Sequence, residues 1–275
     1  MPEGDTIYRA AVVMHRALAG STVLAFESPL TRLARDADDR RLSGRRIERV
    51  ESRGKYLIIR FSGGLALLTH LRMHGSWHLY RPGERWRAPR RAMRIRIVAP
   101  NWEAVGFDIP VAELHDDASL LRAAHLARLG PDPLAADFDA REAVARLREA
   151  GELTIEEALL DQRCLAGVGN VLKSEILFMA GVDPYVAAGE LSDSQLTRIV
   201  DLTQRVLRDN VVAVDSGRRT ARAGSRNTTR SADPAATLYV YGRAGCPCRR
   251  CGEKIRHRRA GRHARSTYWC PTCQA

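Results

Sequence analysis

Residues 246–273 read CPCRRCGEKIRHRRAGRHARSTYWCPTC and hold five of the six cysteines of a 275-residue chain. Cys248 and Cys251 form one C-x-x-C knuckle and Cys270 and Cys273 a second, with eighteen residues between them. Each knuckle lets two thiolates grip one ion from a tight turn, and the spacer is long enough for a hairpin that brings the knuckles together. Four thiolates around one ion are the donor set of structural zinc, and a gap of roughly 15–20 residues between the pairs is that of a zinc ribbon. A disulfide framework would be spread along a short secreted chain instead. The spacing therefore predicts one structural Zn2+ on Cys248, Cys251, Cys270 and Cys273, in a reducing compartment, with Cys246 a bystander. So short a module has no core to fold around without metal.

The charge distribution points the same way. The formal net charge is +12, and residues 215–275 alone carry 14 Arg or Lys against 3 Asp or Glu. A basic excess confined to one end of the chain is the footprint of a polyanion binder, and a solubilising tail would not hold a cysteine cluster. Nucleic acid is favoured over membrane, because no amphipathic basic helix accompanies the charge. Hydrophobic residues make up 45% of the chain, enough for packed cores. No apolar run reaches the roughly 20 residues that span a bilayer, and no apolar leader opens the chain, so the expected compartment is the cytoplasm.

Working back from the cysteine module, 215–236 (DSGRRTARAGSRNTTRSADPAA) lacks large apolar residues and reads as a basic mobile loop, extending to 238. Before it, 117–128, 139–150, 154–163, 171–180 and 192–213 read as helices. Residues 1–116 are β-rich, with strands expected in TVLAF, RIERVES, KYLIIRF, GLALLTH, RIRIVA and IPVAELHD. They are led by a helix over 6–19 with Ile7, Ala10, Ala11, Met14 and Leu18 on one face and Asp5 or Thr6 as its cap. The expected organisation is a sheet domain at 1–116, a helical domain at 117–214, the basic loop at 215–238 and the metal module at 239–275.

Three further stretches stand out. In AGVGN (166–170), Gly167 and Gly169 permit close backbone approach and Asn170 opens a helix, a geometry that suits a phosphate. Taken alone, the pattern more often marks a helix–helix turn with an Asn cap. Lys55, in RGKYL, is by itself an ordinary solvated charge. In HLRMHG (70–75), the spacing of His70 and His74, and of His78 beyond them, places all three on one strand face rather than around a metal.

Together these pieces resemble the bacterial formamidopyrimidine-DNA glycosylase/endonuclease VIII family of base-excision repair enzymes. The matching segments are MPEG at the start, RGKYL, HLRMHG, LLDQRCLAGVGNVLKSEILFMAGVDP (159–184), YGRAGCPCRRCG and RSTYWCPTCQ, in order over the full length. The resemblance implies an α+β multidomain fold. Its parts are an N-terminal two-layer β-sandwich with a leading helix, a helix–two-turns–helix all-α domain and a C-terminal four-Cys β-hairpin zinc finger, with DNA in the cleft between the halves. It implies a monomeric, cytoplasmic, nucleoid-associated bifunctional DNA glycosylase/AP lyase acting on double-stranded DNA with damaged bases or abasic sites. Pro2, freed of Met1, would be the nucleophile and Glu3 the proton donor. Lys55 would be a general acid and phosphate contact. Asn170 and Arg265 would grip the flanking phosphates, with Arg265 also serving the δ-elimination. Arg72, Met73 and His74 would fill the gap left by an extruded nucleotide, with Gly167 and Gly169 shaping the phosphate loop.

The resemblance departs at Asp5 and Thr6, where the family has Pro then Glu. MPEG and YWCPTCQ look like the endonuclease VIII branch, which removes oxidised pyrimidines. Met73 leans to the branch that removes oxidised purines such as 8-oxoguanine. A non-catalytic zinc-ribbon protein that binds damaged DNA is the reading of another class.

Overall fold

The computed structural model describes residues 2–212, 226–260 and 264–275. They form two compact units, one running up to Ala127 and the other made of Arg128–Val212 and the described residues from 226 onward.

The first unit is a two-layer β-sandwich. Its leading helix, α1 (Gly4–Leu18), buries Ile7, Ala10, Ala11, Met14 and Leu18, the face that the apolar spacing predicts. Its start differs from expectation. Glu3, not Asp5 or Thr6, holds the N-cap position in an extended conformation, and the Glu3 carbonyl accepts the N–H groups of Thr6 (2.9 Å) and Ile7 (3.1 Å). Eight strands follow: β1 (Ala25–Glu27), β2 (Ile47–Arg53), β3 (Tyr56–Phe61), β4 (Leu65–His70), β5 (Ser76–Tyr80), β6 (Met93–Val98), β7 (Glu103–Phe107) and β8 (Val111–Asp116). They pair antiparallel in two sheets, ordered β1-β6-β7-β5 and β2-β3-β4-β8. The interior is continuous, from Leu57, Ile59 and Leu67 of one sheet to Trp77, Ile95 and Ile97 of the other.

Strands β5 and β7 were not expected from the sequence. β7 carries Gly106 as the fourth of its five residues, which weakens a strand pattern. Gly106 pairs with Trp77, and a Cβ there would meet the end of the Ile109 side chain at 2.5 Å, which would have to shift, and the indole at 3.4 Å. Helix α2 (Thr31–Asp39) was also not expected, since it buries only Leu33 and Ala37. The helix expected over 117–128 is broken into α3 (Asp117–Arg122) and α4 (Ala124–Ala127), and both belong to the sheet unit rather than the helical one. Arg60 ties the start of α3 to the sheet by pairing with Asp117 (3.1 Å) as well as Glu51 (2.6 Å).

The second unit contains α5 (Ala140–Glu149), α6 (Ile155–Leu160), α7 (Asn170–Ala180) and α8 (Asp193–Val212), close to the predicted helices. Asp139 caps α5 through the N–H groups of Arg141 and Glu142, and Thr154 with Glu157 forms a capping box on α6. The unit ends in an antiparallel hairpin, β9 (Arg256–Ala260) with β10 (Arg265–Trp269). Of the expected basic loop, 215–225 lie outside the described residues. The part from 226 is not a bare tail. Arg226 and Thr228 are buried, and the Thr228 N–H donates to the Thr237 carbonyl at 2.8 Å. Polar side chains hold this stretch where apolar ones are missing, which composition alone does not reveal. Among the described residues, no helix is long and apolar enough to cross a membrane.

Candidate active site and metal centre

In the sandwich unit, the candidate residues lie on loops fixed by short-range bonds. Pro2 is half-buried immediately before α1, and Glu3, Asp5 and Thr6 behind it are buried almost completely. The Asp5 carboxylate accepts both the Thr6 N–H (2.7 Å) and the Thr6 hydroxyl (3.2 Å), so the departure from the family motif forms a local acid–hydroxyl pair. Lys55 is half-buried in the two-residue turn joining β2 to β3, where Gly54 takes φ +57°. Only glycine enters that region without strain.

The HLRMHG stretch is the crossover from one sheet to the other. His70 ends β4, the turn follows, and Ser76 opens β5, so His70 and His78 belong to different sheets rather than one strand face. The Gly75 N–H closes the turn on the Leu71 carbonyl (2.9 Å), and a Cβ on Gly75 would meet that oxygen at 2.6 Å. Arg72 takes φ +50°, a costly conformation for a non-glycine residue, and its N–H donates to His70 Nδ1 (3.0 Å). Arg72, Met73 and His74 are exposed, with Met73 at 50%, so Met73 is not a core residue. Burial, then the Arg72 and Lys55 charges, lower the His70 pKa to about 4, so the ring is neutral and free to accept. Tyr56 packs edge-on to His70 (4.8 Å between ring centroids) and stacks on His125 (5.1 Å) beneath the turn.

In the second unit, the AGVGN loop is shaped by a residue that sequence reasoning missed. Gln162 accepts the Gly167 N–H at 3.0 Å and donates to the carbonyls of Leu160 and Val168, each at 3.0 Å. Gly167 has φ +90°, while Gly169 is extended at the N-cap of α7. Asn170 is the first residue of α7 and is 6% exposed. Its Oδ1 is buried with no hydrogen-bond partner among the described residues. A helix start beside an amide oxygen with no partner among the described residues is suited to a polar ligand.

Helix α7 also fastens the C-terminal module. Glu175, fully buried, accepts the N–H groups of Tyr239, Val240 and Tyr241, each at 2.8 Å, and a short hydrogen bond from Thr228 Oγ1. Lys173, also fully buried, donates to Glu156 Oε2 (2.9 Å), Thr267 Oγ1 (2.6 Å) and the Ser266 carbonyl (3.4 Å). The Thr267 hydroxyl in turn donates to Glu156. Lys and Glu inside NVLKSEILF, an otherwise apolar run, were the available signal for both anchors.

The four predicted cysteines converge. Their sulfurs lie within 4.8 Å of one another, with Cys248–Cys273 at 3.9 Å and Cys251–Cys270 at 3.5 Å. A tetrahedron with metal–sulfur bonds of about 2.3 Å has edges of about 3.8 Å, so the donor set fits one metal ion. The Arg250 N–H donates to Cys248 Sγ (3.4 Å), which favours a thiolate. Cys246 is exposed and outside the cluster. Arg265 opens β10 and is exposed.

Comparison with known proteins agrees with this arrangement. Residues 1–109 match the formamidopyrimidine-DNA glycosylase N-terminal domain, and residues 129–222 match the formamidopyrimidine-DNA glycosylase H2TH domain. The chain is 40% identical to a protein named probable endonuclease 8 2 from Streptomyces coelicolor, over all of this chain and 94% of that one. It is 38% identical to DNA-(apurinic or apyrimidinic site) lyase Nei2 from Mycolicibacterium smegmatis, over 100% of this chain and 99% of that one. Its fold matches the crystal structure of formamidopyrimidine-DNA glycosylase from Lactococcus lactis bound to DNA containing an abasic site, with a TM-score of 0.82, 24% identity and 99% of each chain covered. The chain belongs to the formamidopyrimidine-DNA glycosylase family.

Proposed function

We propose that the protein is a bifunctional DNA glycosylase/AP lyase of base-excision repair, acting from the cytoplasm on damaged bases and abasic sites in double-stranded DNA. The observation that carries the reading is the start of the chain. Pro2 directly precedes a helix whose N-cap is the buried Glu3, so a secondary amine exposed by loss of Met1 lies next to a carboxyl group. An α-amine with a pKa near 7.7–8.0 is partly neutral at physiological pH and can act as a nucleophile. The amine nitrogen bonds to C1′ of the extruded nucleotide and the C1′–base bond breaks, with the base leaving protonated. Glu3 protonates the ring oxygen as the sugar opens to an iminium. Loss of a C2′ proton then expels the 3′ phosphate, and a second elimination expels the 5′ phosphate. Lys55 acts as an acid and phosphate contact, and Arg265 serves the second elimination.

Asn170, with Gly167 and Gly169 behind it, takes a flanking phosphate. The exposed Met73, flanked by Arg72 and His74, fills the stack. Base extrusion costs a few kcal/mol, which an apolar wedge offsets. The four-cysteine cluster holds one Zn2+, which is structural because all four positions are protein thiolates. The endonuclease 8 names of the relatives support oxidised pyrimidines as substrates.

Borohydride trapping tests the reading. Abasic-site DNA should give a covalent adduct that Pro2→Gly abolishes, and wild-type protein lacking Met1 that gives no adduct would leave only a damage-binding role. Cleavage of duplexes carrying dihydrouracil, compared with ones carrying 8-oxoguanine, tests the branch, and faster release of 8-oxoguanine would reverse it.

A further inference from the structure

Lys173, Glu156 and Thr267 make a closed triangle of hydrogen bonds with no solvent access: Lys173 and Thr267 are both 0% exposed and Glu156 is 3% exposed. A buried ion pair recovers little more than its desolvation penalty, so stability is a weak reason for it, and fixing one geometry is a stronger one. The triangle joins three elements: Glu156 is on α6, Lys173 on α7 and Thr267 at the middle of β10. Alternate residues of a strand share a face. Arg265 and Trp269 therefore lie on the Thr267 side of β10. Trp269 meets Tyr185 of the helical part edge-on at 5.1 Å, which identifies that side as the one turned to the helices. On α7, Lys173 lies three residues from Asn170, a rise of about 4.5 Å. The path from Asn170 to Arg265 thus runs through less than one helical turn, one hydrogen bond and two strand residues.

We propose that Lys173, Glu156 and Thr267 are positioning residues that set the register and facing of β10 against α7, so that Arg265 and Asn170 are presented as one phosphate-gripping pair. Lys173 reaches Thr267 Oγ1 and the Ser266 carbonyl together, so it reads backbone as well as side chain. A one-residue slip of β10 would turn Arg265 to the opposite face. The inference rests on the reading of Arg265 as a DNA-gripping, δ-elimination residue.

The test uses the full-length, zinc-loaded protein on a duplex with one abasic site and reads the ratio of δ- to β-elimination product. Zinc per chain and borohydride trapping are measured on the same samples. Thr267→Val should lower the ratio about tenfold, as expected for a sub-ångström to ångström misplacement, with trapping and zinc unchanged. Thr267→Ser, which keeps the hydroxyl, should restore it. Lys173→Met combined with Glu156→Gln removes both charges and should lower the ratio similarly. A wild-type ratio in both Thr267→Val and the double variant, with Arg265→Ala lowering it, would overturn the proposal. Loss of zinc in both would also overturn it, because the triangle would then support the whole module rather than aim Arg265. A wild-type ratio in Arg265→Ala would remove the reading on which the inference stands.

Discussion

The sandwich and the C-terminal module of the second unit are each held by different physics. The sandwich closes over a continuous apolar interior to which α1 and both sheets contribute. The C-terminal module has a small apolar cluster of Phe178, Val240, Cys248, Ile255 and Cys270. Four cysteine sulfurs suited to one metal ion converge in it, and the buried charges of α7 fasten it. Apolar burial is non-directional, tolerates volume-conserving change and fails gradually. Ligation and buried ionic hydrogen bonds demand one geometry and fail when a single partner is removed. The same molecule should therefore respond to chelation and to cavity formation in separate places.

Metal removal is the strongest way to break this contrast. Binding of structural zinc contributes on the order of 10 kcal/mol to folding of small modules. Chelation, or Cys270→Ser, should unfold the hairpin and abolish DNA binding while the sandwich keeps its own melting transition. A single cooperative loss of both signals, followed by circular dichroism and tryptophan fluorescence, would merge what is here separated.

Next in size is Glu175→Gln. Its amide would point donors at N–H groups now satisfied by a carboxylate, at a cost of about 3 kcal/mol, read by denaturant unfolding. A cost below about 0.5 kcal/mol, typical of surface changes, would show that polar anchoring is dispensable. In the sandwich, Leu67→Ala should cost a similar 2–5 kcal/mol by cavity formation, yet leave the zinc content unchanged.

His70 supplies a pH test within the sandwich. Its folded pKa, near 4, is depressed from 6.5 by burial and then by Arg72, Lys55 and His125. Between those values the unfolded chain binds the proton more readily. The contribution is therefore fully present above pH 6.5 and is lost as pH falls toward 4. Wild type should lose more stability than His70→Gln across that window, and parallel pH profiles would refute it. The smallest stability effect belongs to Met73→Ala. It should change the unfolding free energy by less than about 0.5 kcal/mol while weakening binding to abasic-site DNA.

The sequence was most legible where spacing dictates geometry. The C-x-x-C pairs and the period of Ile7, Ala10, Ala11, Met14 and Leu18 led directly to the four-cysteine cluster and to the buried face of α1. It was least legible where a partner distant in sequence supplies the reason. Gly106 lies in β7 beside Trp77 and Ile109, and Gln162 shapes the AGVGN loop through backbone groups that no motif records. The Asp5–Thr6 pair is of the same kind. Two adjacent residues carry an acid and a hydroxyl into a buried position, and their sequence marks only a mismatch. The extent of the sheet unit to Ala127 was hidden because α3 and α4 look like helical-domain segments until their place beside the sheet is known.

Glu175 also has a consequence for how the chain is made. Its hydrogen-bond partners lie 53 to 66 residues further along, and those of Lys173 and Glu156 on β10 lie 93 to 111 residues away. During synthesis, Glu156 is in place to pair with Lys173 as soon as α7 is complete, but none of the groups that donate to the buried Glu175 carboxylate yet exists. Until residues 228–241 are made, the Glu175 carboxylate must stay hydrated, and α7 lacks the anchor that fixes it to the C-terminal module. A nascent chain would acquire its sandwich early and the final seating of α7 last, so an incompletely synthesised protein would carry an unfinished second unit.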